Sequence, residues 1–534
     1  MGYIGSQPKI KNGNSGSIVT SAVSKSLALG FRPKSHPNTP RKHCTSPQRN
    51  LSSMSRVVLA FLAATALIST AAGAADPPRS WVDKDTGHRV WRLSDEANSG
   101  GFYFNINAYT PDHKSMIYTA PDGIHVLDLD SMKTRLLVPN PSRPADAPQG
   151  PGGFFRYGVH ALVAGYRTNS VFYTQTDPTN NVTSVYKANV DTGAIRKLID
   201  LPARHMIVSI NADETLAAGT FDESNQPAQG YGQNAPALPQ STTGDNRVAG
   251  AEQGPHYQPL DKGQMMERRL AAHLPLQLFT IRLEPGPDGE QPGDIKMLLH
   301  STDWINHLLF SPTDPELLMY CHEGPWHKVD RIWMIHTDGT HNTLIHKRTM
   351  ANEIAGHEFW GLDGETIWYD WQYPRGEVFY LADYNLQTGK RTAYHMERNE
   401  WSIHFNLTRN LDLFCGDGGD PGQVAKASDG EWIELFHPQM LTATADTLNA
   451  PDFWQPGVFH SEHLVNMSHH NYREEPNVRF SPDKKLVIFT SNMFGPSYVF
   501  AAEVDKAVNP PDADLQSTPD LARQFNPVDP KPTH

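Results

Sequence analysis

Cysteine is scarce in this chain. Only three occur in 534 residues, and Cys44 lies in an N-terminal segment that we expect to be removed, which leaves Cys321 and Cys415. Two cysteines are too few to hold a domain together as a disulfide scaffold does. The repeats described below place them in non-neighbouring units, so we predict two free, buried thiols.

Positive charge is also in short supply. The chain has 46 Lys and Arg residues against 58 Asp and Glu residues. Nine of the basic residues and none of the acidic ones precede residue 75, so the remainder has 37 basic and 58 acidic residues and a formal charge of −21. This balance argues against nucleic acid and anionic membranes as partners. A polyanionic ligand would require basic residues concentrated at one site.

The apolar run near the N-terminus is short. Met54 opens a weakly basic start, residues 57–70 are apolar, and residues 72–74 have the A-x-A pattern of a signal peptidase site. We therefore predict a signal peptide over residues 54–74, export to the periplasm and no stable membrane anchor. An uncleaved anchor is the alternative, although the run is short for a span. Residues 1–53 are interpreted as a non-structural leader from a start codon assigned too early.

A repeated unit organises the rest of the chain. In each unit an apolar strand meets a turn of the S/T-P-D or x-x-D-G type, and further strands follow. Seven such turns can be placed: at residues 109–112, 164–167 and 210–213, and next to Phe310, Trp360, Leu407 and Phe480. Apolar and polar residues alternate within the units, which is the period of half-buried strands. We predict an all-β fold, a seven-bladed β-propeller over residues 75–507.

The two ends of this repeat are predicted to meet. Residues 86–93 resemble an outer strand without inner ones, and the last unit stops after residues 498–504 without an outer strand. The N-terminal strand would therefore close the last blade. Two segments break the repeat: residues 223–262, predicted as a long loop of the third blade, and residues 508–534, predicted as a disordered tail.

One position of the repeat carries residues that bind metals or move protons. His307, His357 and His404 each stand three residues before the bulky apolar residue of a turn, Asn477 has the same place in the last unit, and Glu475 precedes it by two. The innermost strands of a propeller line its channel, so these side chains should converge at one mouth. Together they suit Mn²⁺, Ca²⁺ or a similar divalent cation, and imidazole favours a transition metal. The alternative is that each histidine only hydrogen-bonds a neighbour across the channel.

A second polar set is predicted to bind the ligand. It follows the strand at residues 317–321, which returns to the level of His307. His205 is added to it, because in the third blade it has the offset that Glu475 has in the last. Asp370 and Asp417 hold comparable places in the next two blades. A solvated polar loop is the alternative interpretation for each of these residues. The predicted ligand-binding residues are His322, Trp326, His327, Lys328 and His205.

Two adjacent arginines, Arg268 and Arg269, follow the long insert. Such a pair is usually a solvated surface feature. In an acidic chain it is also a candidate anion clamp, because guanidinium binds carboxylate in a bidentate fashion.

Three segments carry a resemblance to a known family: residues 300–333 (HSTDWINHLLFSPTDPELLMYCHEGPWHKVDRIW), 356–360 (GHEFW) and 474–492 (EEPNVRFSPDKKLVIFTSN). They resemble the oligogalacturonate lyase family, seven-bladed pectate lyases specific for short oligogalacturonides. The resemblance covers nearly the whole chain after the signal peptide. It implies that His307 is the catalytic base, that His357 is the first ligand of a divalent metal, typically Mn²⁺, and that Arg268 or Arg269 assists.

The last blade departs from the family's pattern. Where better-known members have the metal motif Gln-x-x-His-x-His, this chain has Tyr472, Glu475 and Asn477. Glu475 and Asn477 still offer oxygen, and His404 or the pair at residues 469–470 could supply nitrogen.

The resemblance implies β-elimination from short oligogalacturonides, which gives unsaturated uronate and 5-dehydro-4-deoxy-glucuronate. A neutral histidine removes the C5 proton, while a cation and an arginine neutralise the adjacent carboxylate. Two alternatives stay open: a lyase for another uronic-acid oligosaccharide, and a non-catalytic periplasmic binding module. A serine-triad hydrolase is disfavoured, because no G-x-S-x-G motif occurs.

Overall fold

A computed structural model describes residues 77–141, 158–224, 262–442, 453–508 and 515–516. The predicted leader, the signal peptide and most of the long insert lie outside the described residues. All described residues fall within one compact unit, Ala71–His534. No helix in these ranges is long and apolar enough to cross a membrane.

The described residues are almost entirely β-strand, with one α-helix, α1 (Lys262–Ala272), and one 3₁₀ turn, Arg398–Glu400. The strands are β1 (Ser80–Asp83), β2 (His88–Arg92), β3 (Ser115–Ala120), β4 (Gly123–Asp128), β5 (Lys133–Pro139), β6 (Val159–Ala164), β7 (Ser170–Thr176), β8 (Thr183–Asn189), β9 (Ile195–Asp200), β10 (His205–Ile210), β11 (Leu216–Asp222), β12 (Leu276–Arg282), β13 (Ile295–Ser301), β14 (Trp304–Phe310), β15 (Leu317–Glu323), β16 (Ile332–His336), β17 (Thr343–Leu344), β18 (Ile354–Trp360), β19 (Thr366–Gln372), β20 (Phe379–Asn385), β21 (Arg391–His395), β22 (Phe405–Leu407), β23 (Phe414–Gly416), β24 (Trp432–Met440), β25 (Trp454–Asn466), β26 (Arg479–Phe480), β27 (Leu486–Ser491), β28 (Tyr498–Lys506) and β29 (Leu515–Gln516). The predicted all-β class is confirmed.

The strands form six sheets in which chain neighbours pair antiparallel. Strands β3–β5 form a three-stranded sheet, and β6–β9, β10–β13 and β14–β17 form three four-stranded sheets. An eight-stranded sheet has the order β18-β19-β20-β21-β25-β24-β23-β22, and its centre is a parallel pairing of β21 with β25. Short antiparallel sheets of consecutive strands are what the repeated strand-and-turn pattern predicts.

The sixth sheet joins the two ends of the chain, in the order β26-β27-β28-β2-β1-β29. Strand β2 pairs antiparallel with β28, with Val90 opposite Ala502, as the sequence predicted for the N-terminal strand. Within the segment predicted as a tail, Leu515–Gln516 is a strand that pairs parallel with β1. The free backbone groups of the edge strand β1 provide partners for these two residues.

The core lies between neighbouring sheets. One cluster unites Leu309 and Ile332 with Ala355 and Ile367 of the next sheet. Because both faces of an inner sheet are covered, strands such as β15 are buried along almost their whole length and read as apolar runs. Cys321 and Cys415 are free and buried, as predicted.

Helix α1 was not predicted. Residues 223–262 were interpreted as a loop that leads directly to a strand, but the helix occupies residues 262–272. Its sequence, KGQMMERRLAA, is rich in strong helix formers, which a search for strand periodicity passes over. Met266 anchors the helix by packing against Trp326 and Ile354.

Candidate functional site

The position that repeats in the sequence has a distinctive backbone conformation in the structure. Strands β14 and β18 each shift register at this point, between Asn306 and Leu309 and between Gly356 and Phe359. The bulged residues His307 and His357 have φ of 47° and 46°, and Asn477 has φ of 57°. Left-handed backbone is uncommon for residues other than glycine and clusters at functional sites. The bulges therefore give His307 and His357 the same backbone conformation.

Each of the three histidines faces a carboxylate that lies on the following strand or, for Asp417, directly after it. His307 Nε2 lies 3.2 Å from Glu323 Oε2, His357 Nδ1 lies 3.4 Å from Asp370 Oδ2, and His404 Nδ1 lies 2.8 Å from Asp417 Oδ2. Three successive units thus repeat one histidine–carboxylate pair.

A cavity of ≈ 290 Å³ opens beside the first two pairs. Of the predicted site residues, four line it: His307, His357, Trp326 and Glu475. The sequence analysis did not single out the remaining lining residues, which are Tyr103, Asn105, Asn306, Glu323, Arg331 and Glu358. A second cavity of ≈ 350 Å³ is lined by the turns of the repeat, including His113, Arg409 and Lys484, and none of the predicted site residues lines it.

Glu323 and Arg331 supply the charge beside His307. Glu323 Oε1 accepts a hydrogen bond from Arg331 Nη1 at 2.7 Å, and the Arg331 guanidinium lies 4.2 Å from the centre of the Trp326 ring. Burial by itself would raise the pKa of Glu323, but the Arg331 charge and the His307 hydrogen bond outweigh it and hold that pKa well below its usual range. Glu323 is therefore an anion at neutral pH.

The sequence analysis selected His322, but in the structure its neighbour Glu323 lines the cavity. Successive side chains of a strand point to opposite faces, so His322 lies away from His307 and packs against Trp333 at 4.8 Å. Burial lowers the pKa of His322, partly offset by Asp303. Strict alternation along residues 317–323 was the signal that would have selected Glu323.

Three other predicted ligand-binding residues, Lys328, His205 and His327, also lie outside the cavity lining. Lys328 forms an ion pair of 2.8 Å with Glu267. His205 stacks on Phe221 at 4.5 Å, and His327 belongs to the loop beyond Trp326 without lining the cavity.

Arg268 and Arg269 lie on helix α1, and neither is among the described residues that line the cavity. The Arg269 guanidinium lies 4.1 Å from the centre of the Trp304 ring. Arg331 is the only Lys or Arg among the described lining residues, so the structure places a different arginine beside His307.

His404 is a core residue. Its side chain is 0% exposed, and both ring nitrogens have partners, since Nδ1 faces Asp417 and Nε2 lies 3.1 Å from the Tyr103 hydroxyl. Burial, with the nearby charge of Glu475, raises the pKa of Tyr103 well above its usual value, so the hydroxyl is a neutral donor to Nε2. For His404 the hydrogen-bonding alternative holds.

The predicted four-ligand metal site does not fit this arrangement. Asn477 Oδ1 accepts a hydrogen bond from the Phe104 backbone at 3.1 Å, and its Nδ2 donates to the Glu475 carbonyl at 2.7 Å. His404 is engaged as well. Of the four predicted metal ligands, only His357 and Glu475 line the cavity. Among the described residues no group of three or more His, Cys, Asp or Glu is arranged to hold a metal ion.

Acidic groups surround Arg331. Glu358 is 2% exposed, and its Oε2 has no hydrogen-bond partner among the described residues. Burial raises the pKa of Asp370 well above its usual value, Arg331 opposes this and Glu358 adds to it. The pKa of Asp370 beside His357 is thus shifted in the opposite direction to that of Glu323 beside His307.

Comparisons with known proteins confirm the resemblance seen in the sequence. Residues 289–508 match the family Pectate_lyase22, described as oligogalacturonate lyase. The chain is 28% identical over 223 residues to an oligogalacturonide lyase of Pectobacterium atrosepticum and 25% identical over 228 residues to an oligogalacturonate lyase of Dickeya dadantii. Each match covers 40% of this chain and 54% of the relative, so the chain spans about half the length of the curated relatives it matches.

Two solved structures share the fold. An oligogalacturonate lyase in complex with manganese has a TM-score of 0.57 at 17% identity, covering 82% of this chain and 96% of the other. An oligogalacturonate lyase from Vibrio parahaemolyticus has a TM-score of 0.55 at 17% identity, covering 80% and 96%.

Proposed function

We propose that this chain, whose residues 289–508 match the oligogalacturonate lyase family, cleaves short oligogalacturonides by β-elimination. One observation carries the proposal: His307 lies on a bulged inner strand, with Nε2 3.2 Å from an ionised carboxylate, in a cavity that is also lined by an aromatic ring and a guanidinium. A base beside a fixed positive charge is what proton removal next to a uronate carboxylate requires.

The roles follow from the chemistry of the groups. Neutral His307 takes the C5 proton, the C4=C5 double bond forms, and the C4–O bond breaks with its electron pair leaving on the oxygen, which then gains a proton. Arg331 contributes positive charge where the substrate carboxylate gains electron density. Trp326 lines the cavity and holds the Arg331 guanidinium against its ring.

The seven-bladed architecture is part of this proposal. Division of the eight-stranded sheet at the parallel β21–β25 pairing leaves two antiparallel groups, β18–β21 and β22–β25. With the five other sheets of the described residues, this gives seven units in chain order. Export to the periplasm, based on residues 54–74, is proposed on the sequence alone.

We expect this chain to bind a divalent cation only weakly. Manganese is present in one similar solved structure, but here only His357 and Glu475 of the expected ligands line the cavity. Two protein ligands are few for a cation that prefers six. We expect the purified protein to retain well below one equivalent of manganese after gel filtration, measured by mass spectrometry of the metal content. A full equivalent would contradict this and would require His404 and Asn477 to change partners.

The activity is tested with digalacturonate and longer oligogalacturonides. Elimination creates a double bond conjugated with the carboxylate, so we expect ultraviolet absorbance to rise with product formation. His307→Ala removes the base and should lower kcat by roughly 10²- to 10⁴-fold. The matched control His205→Ala removes a histidine that lies outside the cavity lining and should leave turnover close to that of the unmodified protein.

A different uronate is the second candidate, because the cavity lining adds Glu358 and Glu475 to the charge of Glu323. Absorbance from ulvan, glucuronan or rhamnogalacturonan fragments, but not from digalacturonate, would select this candidate. Calorimetric binding of oligogalacturonides without any absorbance change would instead identify a binding module.

A further inference from the structure

Glu323 bridges two donors in the wall of the cavity. Its Oε1 accepts from Arg331 Nη1 at 2.7 Å, and its Oε2 lies 3.2 Å from His307 Nε2. Both Glu323 and Arg331 are almost completely buried, at 2% and 3% side-chain exposure, whereas His307 is 29% exposed. The two buried residues therefore form a rigid support behind an accessible ring.

Arg331 determines whether the Glu323 carboxyl is ionised. A guanidinium stays protonated in proteins, and this one is held in place by the Trp326 ring. Its charge keeps Glu323 ionised, and an ionised carboxylate accepts hydrogen bonds but cannot donate them. At 3.2 Å from the Glu323 carboxylate, a lone pair on His307 Nε2 would be repelled by the negative charge, which favours a hydrogen on that nitrogen.

We propose that Glu323, fixed by Arg331, is a positioning residue that keeps neutral His307 protonated on Nε2, so that Nδ1 is the atom that receives the substrate proton. This inference rests on the proposed function for the identity of the reaction. The tautomer itself is a property of the protein without substrate.

The other two histidine–carboxylate pairs differ in the way the proposal requires. His357 and His404 face their carboxylates with Nδ1, whereas His307 uses Nε2. The side chains of His357 and His404 are 8% and 0% exposed, against 29% for His307. The combination of an ionised partner and an accessible ring is thus found at His307 among the three pairs.

The test replaces the Glu323 carboxylate, which only accepts hydrogen bonds, with an amide that can donate one. In Glu323→Gln the amide oxygen is held by Arg331, so the amide N–H faces His307 Nε2 and forces that nitrogen to accept. The ring then carries its hydrogen on Nδ1 and loses the lone pair there. We expect kcat to fall by roughly 10²- to 10⁴-fold, as expected for a base held in the wrong tautomer, with KM changed far less. Glu323→Asp keeps the carboxylate and should recover part of the activity.

The tautomer is measured directly by ¹⁵N chemical shifts in protein labelled with [¹⁵N]histidine and free of substrate, with His307 assigned by comparison with His307→Gln. We expect Nε2–H in the unmodified protein and in Glu323→Asp, and Nδ1–H in Glu323→Gln. Glu353→Gln is the matched control: it alters the His346–Glu353 pair, joined at 2.8 Å, whose residues do not line the cavity, and it should leave kcat unchanged.

The outcomes separate the two proposals. A Glu323→Gln protein that keeps Nε2–H on His307, or one that keeps its kcat, overturns the positioning role. An unmodified protein with Nε2–H that gives no elimination product from any uronate leaves the tautomer inference standing and overturns the proposed function.

Discussion

At the scale of single residues, the partner of a histidine decides what the histidine can do. His307 and His404 occupy the same position of the repeat, but His404 has both nitrogens engaged in the core, whereas His307 reaches the cavity. The sequence identified the position but not the difference. Glu323 and Arg331, which create that difference, lie on β15 and in the segment after it, and only pairing with β14 brings them to His307.

Asp383 on β20 makes stability depend on pH. Burial, the largest effect, raises its pKa to about 7, although a hydrogen bond from the Thr392 backbone opposes the rise. The folded protein therefore binds a proton that the unfolded chain releases above about pH 4. This contribution is full below about pH 4 and is lost as pH rises to about 7.

Asp383→Asn keeps the neutral form at every pH. Relative to the unmodified protein, its free energy of unfolding should rise between about pH 4 and pH 7 by up to roughly 4 kcal/mol, at about 1.4 kcal/mol per pKa unit. Urea denaturation across this range measures the difference. The matched variant at exposed Asp505, Asp505→Asn, should show no such trend, and parallel curves for Asp383→Asn would contradict the buried-acid account.

At the scale of elements, bulged inner strands build the cavity. The sequence predicted that the residues three positions before the bulky apolar residue of each turn are equivalent. Shared register shifts and positive φ values confirm this for His307 and His357. Helix α1 was missed, because a search for strand periodicity passes over its helix-forming residues; its packing partner Trp326, beyond β15, is far along the chain. Its arginines were consequently assigned to a site whose lining contains Arg331 instead.

Gly356 on β18 sets the position of the Trp326 wall. A Cβ at this residue would lie 2.6 Å from the Trp326 ring, closer than side chains tolerate. Gly356→Ala should therefore displace the ring, cost about 1–3 kcal/mol of stability and raise KM for oligogalacturonides. Thermal unfolding and initial rates measure the two effects.

Gly100→Ala is the control for this change, because its Cβ would meet Thr490 at an ordinary 3.6 Å. We expect a change in stability within about 1 kcal/mol and unchanged KM. Equal behaviour of the two variants would show that the ring moves without consequence.

At the scale of the whole molecule, both ends of the chain complete one sheet. Strands β1 and β2 come from the N-terminal end, yet β2 pairs with β28. The closure ties the first described residues to the last large strand, and it covers an edge that would otherwise present free backbone groups.

Removal of residues 77–93 deletes β1 and β2 and exposes the edge of β28. We expect loss of cooperative unfolding, or aggregation, in urea titrations followed by tryptophan fluorescence. Among the described residues, removal of residues 509–534 deletes the two-residue strand β29, and it should lower the unfolding midpoint far less. A cooperative transition retained after the first deletion would contradict the role of the closure.

The sequence by itself determined the all-β class, the meeting of the two ends, the free thiols and the repeated position of His307 and His357, because each follows from local periodicity and from the spacing of turns. Tertiary structure alone decided which of these histidines is accessible and which charge stands beside it. Ionisation and hydrogen bonding depend on residues brought together across strands, such as Glu323 and Arg331 at His307 and Tyr103 at His404, and linear spacing does not encode those contacts.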